Sequence, residues 1–281
     1  MKKLIIFLIL SGVIRAYGQE SIEVKIEPRP SSQGVQSAFE VIVPQATADD
    51  AIKLWKKTIT KKGVTGKSPK VESIKDEWVV KNIVLNEIST DQYNVYTQVS
   101  SFPDNIYVRV FLQNPDGFLG SSESSAQATE AAAKYVRNYA VDLYKQAVGK
   151  ELKGEENKLK SLERDYNKMN RQNRSYDKKV NKAAKEERSV RSDLQDDKKL
   201  LKEIKKSDDT DLSADEKSAS REEIEKSIKA ANKDIKKAQK SQSKFEKKIN
   251  KNEKAQNELQ EKIVLQKEKV NEVKRELNNI R

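Results

Sequence analysis

The stretch Leu159-Lys160-Ser161-Leu162-Glu163-Arg164-Asp165-Tyr166-Asn167-Lys168-Met169 sets its apolar residues alternately three and four apart. Extended in both directions, this first run comprises Leu152, Leu159, Leu162, Tyr166, Met169, Tyr176, Val180, Ala183, Val190, Leu194, Leu201 and Ile204. A second run comprises Ile224, Ile228, Ala231, Ile235, Ala238, Phe245, Ile249, Leu259, Ile263, Val270, Val273, Leu277 and Ile280. A mean step of about 3.5 residues keeps one apolar seam facing a partner as two helices supercoil. Residues 149–281 are therefore expected to form a coiled coil, with helices over 150–206 and 214–281.

Between the runs, Ser207-Asp208-Asp209-Thr210-Asp211-Leu212-Ser213 carries no seam, which predicts a turn over 207–213. Ser213 with Glu216, and Ser220 with Glu223, fit capping boxes that restart a helix. A reversal here makes the helices antiparallel; the other arrangement is a parallel coil between separate chains. The seam has polar interruptions at Asn173, Glu187 and Asp197, then at Gln242, Asn252, Gln256 and Gln266. Centring the reversal between Leu212 and Ser213 pairs Asn173 with Asn252 and Val180 with Phe245. Sliding one heptad buries the Asn173 amide against Phe245 or Leu259, at about 1–3 kcal/mol. Asn173 and Asn252 are thus the expected register residues. In this register Leu277 meets Val148 and Ile280 meets Lys145, so the final turns come back to the preceding domain. The arm would be roughly 80 Å long at 1.5 Å per residue. Leu200, Val264 and Leu265 lie off the seam and are the candidate contacts for a protein partner or for self-association.

The N-terminal half reads differently. Residues 19–37 form a polar lead with one strand candidate at 22–26, broken by Pro28, Pro30 and Gly34. Residues 38–148 then form a globular domain. Phe39, Val41 and Val43 alternate with Glu40 and Ile42 and stop at Pro44, the pattern of a strand. Thr47 ahead of Asp49 and Asp50 marks a helix start, with acids set against the helix dipole. That helix shows Ala51, Leu54, Trp55 and Ile59 on one side and ends near Gly63. Strand candidates follow at 70–74, 78–85, 93–99 and 106–112, joined by turn residues such as Asn114-Pro115-Asp116-Gly117. A second helix begins near Ser124. The expected fold is α+β: strand, helix, four strands, helix, an antiparallel sheet covered by two helices, followed by a long antiparallel coiled-coil hairpin. Gly149 and Gly154 at the junction read either as a soft joint or as weak spots in one uninterrupted helix.

This order, with Val41-Ile42-Val43-Pro44 leading into the helix at Thr47, resembles small exported bacterial domains of TBP-like fold and unknown function. The resemblance implies no catalytic residues. The C-terminal half is similar to coiled-coil hairpins in general.

The chain has 281 residues with neither cysteine nor histidine. Disulfides, thiolate or imidazole metal ligation and every triad that needs an imidazole base are thereby excluded. Carboxylate, lysine and tyrosine chemistry stay open. Lys2 and Lys3 before the apolar residues 4–10, and Ala16-Tyr17-Gly18 after them, read as a signal peptide over 1–18, cleaved before Gln19. The apolar stretch falls short of the about 20 residues that cross a bilayer. No second one follows, so the expected mature chain is exported, periplasmic or extracellular, and soluble, with no transmembrane segment.

A net charge of +12 suits an anionic envelope surface, whereas nucleic acid is not expected. Basic and acidic residues are interleaved along the coil, and no basic run alternates with aromatics that would stack bases. Asp209, Asp211, Ser213 and Asp215 alternate as in a calcium loop, but Ala214 and Ser220 stand where glycine and glutamate are needed. Asn173-Arg174-Ser175 matches a glycan acceptor inside the seam and is set aside. No catalytic, cofactor or metal residues are assigned.

The expectation is a non-enzymatic exported envelope protein that presents a basic coiled-coil arm as spacer or docking surface. A holdase similar to chaperones of the Skp type is the first rival, although there the chain returns to a body, whereas this one ends on the returning helix. A ligand-binding or enzymatic domain at 38–148 is the second, and would need a deep pocket lined by paired carboxylates or by Lys, Tyr and Arg.

Overall fold

The computed structural model describes residues 22–60, 69–206 and 214–281. The expected signal peptide, the expected helix end near Gly63, the expected turn over 207–213 and the acids Asp209 and Asp211 lie outside the described residues. The chain divides into two compact units. One takes residues up to 156 together with 269–281, and the other takes 157–268.

The first unit is built on a seven-stranded antiparallel sheet. Its strands are β1 (Val24–Ser31), β2 (Gly34–Pro44), β3 (Val71–Ile74), β4 (Glu77–Val84), β5 (Gln92–Ser101), β6 (Asn105–Asn114) and β7 (Gly117–Phe118), and helix α1 (Ala48–Thr60) follows β2. The spatial order is β1-β2-β6-β5-β4-β3, with β7 pairing β6. Among the described residues the sheet thus has two strands more than the five predicted for 38–148, and the first of them overlaps the strand candidate at 22–26. One of them, β1, runs straight through Pro28 and Pro30, which the sequence reading treats as breakers. The reason is position. β1 is an edge strand, and two residues of equal parity turn their nitrogens the same way. Pro28 and Pro30 therefore leave no ladder bond unmade if both face outward. The other, β7, is two residues long and takes the edge of β6 at Gln113 and Asn114, where β2 has already departed.

α2 (Ala126–Lys206) is continuous through Gly149 and Gly154, and α3 (Ala214–Asn279) is the next described element. Of the two readings of this junction, the uninterrupted helix is the one found, so the domain helix and the helix expected over 150–206 are one element. Neither glycine has a positive φ, and a Cβ at either would meet open space. Each costs only about 1 kcal/mol relative to alanine, which the flanking turns absorb.

Alternation decides which face of the sheet is covered. Phe39, Val41, Val43, Val95, Ile106, Val108, Val110 and Leu112 join Ala51, Trp55 and Ile59 of α1 and Ala132, Val136, Tyr139 and Leu143 of α2 in one core. Thr47 Oγ1 accepts from the Asp50 amide (3.2 Å), the cap that its spacing predicts. Tyr139 donates to the Ala51 carbonyl (2.7 Å), tying the helices together; burial raises its phenol's pKa. The 269–281 segment belongs to this core. Val273 and Ile280 are buried in it and Leu277 packs against it. Glu276, also buried, accepts from Tyr144 (2.7 Å) and Gln45 (2.8 Å), both on Oε1. Arg137 donates to the main-chain oxygens of Ile22 and Arg281.

The other face is covered by the chain itself. β2 pairs β6 only from Phe39 to Pro44, so its first residues part from the sheet and continue with β1 as a two-stranded ribbon. The ribbon's tip crosses that face. The Ser32 amide donates to buried Glu77 Oε1 (2.9 Å), and Gln98 donates to the same oxygen and to the Pro30 carbonyl (both 2.9 Å). Ala38, Val79, Tyr96, Phe111 and Phe118 form a small second cluster on this side. Gly120 (φ +88°) passes so close that a Cβ would stand 2.8 Å from Ile26 Cγ2, which only glycine permits.

Glu40, buried on the ribbon side, is clamped by Arg109 and by Arg29 (2.9 Å). Burial alone would raise its pKa, but the two guanidinium groups outweigh that and hold its carboxyl below the ordinary range. A depressed folded pKa contributes stability that is complete above the unfolded value and is lost as pH falls through the folded one. Glu40→Gln should therefore cost about 1–2 kcal/mol at neutral pH, since the arginines are themselves partly exposed. The gap from the parent should narrow as the pH drops below about 4. Urea titrations at several pH values test this, and a gap constant with pH would refute it.

Candidate functional site

In the second unit the two helices pair through residues whose numbers fall on one helix as they rise on the other. Lys267 meets Glu163, Asn252 meets Asn173, Gln242 meets Glu187 and Ser227 meets Asp197, so the pair is antiparallel. Ala183, Leu194 and Ile235 are its most buried apolar side chains. These four contacts lie at or beside polar interruptions of the seam, and Arg221 adds one to the Ile204 carbonyl (3.2 Å). Asn252 Nδ2 donates to Asn173 Oδ1 (2.9 Å), and Asn173 Nδ2 donates to Gln256 Oε1 (3.0 Å). Gln239 and Gln242 both donate to Glu187. Arg191, one turn along, acts with these amides to hold the Glu187 carboxyl below its usual range. Tyr176 and Phe245 stack at 5.8 Å, with Lys179 and Lys248 over the rings.

Asn173→Ala removes the acceptor for Asn252 and the donor for Gln256. It should destabilise the helix pair by about 1–3 kcal/mol, read from the far-UV signal in urea. Asn252→Ala added to it should cost markedly less than alone, because the shared contact is already gone. Additive losses would show that the two amides do not act as a pair.

The candidate contacts Leu200, Val264 and Leu265 are exposed, at 47%, 52% and 64%. The structure does not bring them together. Leu200 lies near the Asp197–Ser227 contact, while Val264 and Leu265 lie near the Glu163–Lys267 contact at the other end of the pair. Asn257, Gln260 and Glu261 share the shallow furrow beside Val264 and Leu265. Leu200 thus stands apart from the adjacent Val264 and Leu265.

A larger feature is legible only when the helix is wound. Lys226, Lys229, Lys233, Lys236, Lys240, Lys244, Lys247, Lys251 and Lys254 follow one another at steps of three and four, and all are exposed. They share the outward side of α3, away from the seam residues Ile235, Phe245 and Ile249. Asp234, Glu246 and Glu253, the only acids in this stretch, stand off that row. On α2, Arg164, Arg171, Lys178, Lys185, Lys199 and Lys206 repeat at sevens, with Ser192 in the one gap. Charges that look interleaved along the chain are therefore sorted by face. The sorting has an energetic cost: neighbouring like charges at these steps each destabilise a helix by about 0.2–0.5 kcal/mol. Solubility alone needs no such row, since mixed signs serve it as well.

Among the described residues, no cluster of three or more Asp or Glu is placed to hold a metal ion, and no helix is long and apolar enough to cross a membrane. No family model matches the chain, and neither does any curated protein.

Proposed function

We propose that the chain is an exported, non-enzymatic envelope protein whose α+β unit carries a basic coiled-coil hairpin serving as docking surface or spacer. The carrying observation is the outward lysine row of α3. Asn173, Glu187, Asp197, Gln242, Asn252 and Gln256 find partners across the helix pair, whereas the row is solvent-facing lysine held at a cost to the helix, with Glu222 paired to Lys226 at its start (2.7 Å). In this reading the α+β unit belongs with the small exported domains of TBP-like fold that its strand–helix junction resembles.

Cell fractionation combined with photo-crosslinkers at Lys240 and Lys247 tests the reading. Recovery outside the cytoplasm with the N-terminus at Gln19, and adducts that need the row, are expected. A cytoplasmic chain that keeps residues 1–18 would overturn it.

A further inference from the structure

We infer that the α3 lysine row over residues 226–254 is a peripheral binding face for an anionic lipid bilayer. This rests on the docking-surface reading and names its partner. Twenty-eight steps of about 1.5 Å make the row roughly 42 Å long, and it follows one side of a single helix. A straight line of charge meets a plane along its whole length. It matches duplex nucleic acid poorly, because the phosphates spiral away within a turn of about 34–36 Å and successive lysines would face backbone and then groove. A single strand could bend to follow, but the row holds no aromatic side chain on which bases would stack.

The residue type agrees with this choice. All nine positions are lysine, a compact point charge suited to mobile phosphate head groups, and none is arginine, whose fork suits fixed bidentate partners. Ala230 is the one apolar side chain on this side and is too small to insert, so the helix would rest on the head groups. Its footprint has an end. Glu258 and Glu261 follow on the same side and would repel an anionic surface, which separates the row from Val264 and Leu265. Lysines near such a surface each strengthen binding by up to about fivefold, an effect that fades with salt.

The test is co-sedimentation of the purified chain with vesicles of phosphatidylethanolamine and phosphatidylglycerol, against vesicles of phosphatidylcholine alone, at low and physiological salt. Binding to the anionic vesicles only, weakened by salt, is expected. Changing Lys236, Lys240, Lys244 and Lys247 to glutamine should weaken it at least ~10-fold with the far-UV spectrum unchanged, since glutamine keeps a similar helix propensity. Changing Arg171, Lys178, Lys185 and Lys199 on α2 should weaken it much less. Equal losses from the two sets would reduce the effect to net charge and overturn the site, as would absence of binding to anionic vesicles. Tighter row-dependent binding to duplex DNA or to a linear acidic polysaccharide at the same salt would also overturn it. The two readings fail separately: row-dependent adducts in the envelope without vesicle binding would leave a docking surface for a different partner, whereas a cytoplasmic chain that still binds vesicles would remove only the envelope reading.

Discussion

Replacing Val273 and Ile280 together by serine should lower the stability of the α+β unit by about 3–6 kcal/mol, because each side chain loses the gain of full burial, about 1.5–3 kcal/mol. Both are nearly inaccessible, at 5% and 7% exposed, and both sit in the core formed by the sheet, α1 and the first part of α2. A loss of that size is a large share of the roughly 5–15 kcal/mol that holds a domain folded. Glu276 sharpens the expectation, since the same segment supplies the carboxylate that receives Tyr144 and Gln45. The measurement is a melt followed by tryptophan fluorescence, which reports on Trp55 and Trp78 in the α+β unit and on nothing in residues 157–268. An unchanged midpoint would mean that residues 269–281 only lie beside a core complete without them.

That segment also shows how far periodicity carries. Val273, Leu277 and Ile280 continue a heptad seam, and the return of the chain to the domain follows from counting back from the Asn173–Asn252 pair. Counting cannot reveal that the seam's last turns enter a globular core, nor that Glu276, off the apolar pattern, becomes a buried acceptor. The same division runs through the sheet. Phe39, Val41 and Val43 announce their strand because one face is buried. β1 announces only its start at 22–26, because its prolines are tolerated only at an edge, and edge position is a property of the whole sheet.

The ribbon crossing the outer face is illegible for a related reason. Ser32 and Glu77 meet 45 residues apart, through a backbone amide that any residue would have supplied. Glu40 reads as the polar half of an alternating strand until Arg29 and Arg109 are placed beside it. The lysine row was hidden by projection. Read linearly, acids intervene; wound at 3.6 residues per turn, they leave the face. The apolar residues off the seam were easier to notice, yet the fold scatters them to opposite ends of the helix pair.

Trp55→Ala is the other substitution with a large expected effect, about 3–5 kcal/mol. Trp55 is 1% exposed and among the largest fully buried side chains of the unit. Its ring meets Tyr139 edge-on at 4.8 Å and Tyr135 at 6.3 Å, so it joins α1 to α2 over the sheet. Truncation leaves a void between three rigid elements, with the Tyr139 bond to Ala51 as the nearest restraint on collapse. The informative companion is Trp55→Phe. The indole Nε1 has no hydrogen-bond partner among the described residues, so phenylalanine keeps most of the ring contact while removing a buried donor that gains nothing. Loss of the smaller ring's volume and relief of the stranded donor act in opposite directions, and the net cost should stay under about 1.5 kcal/mol. Urea unfolding of the three proteins, followed by near-UV dichroism, separates the outcomes. A phenylalanine variant as damaged as the alanine one would mean that the indole nitrogen is engaged after all, and that α1 is held against α2 by a polar contact rather than by packing.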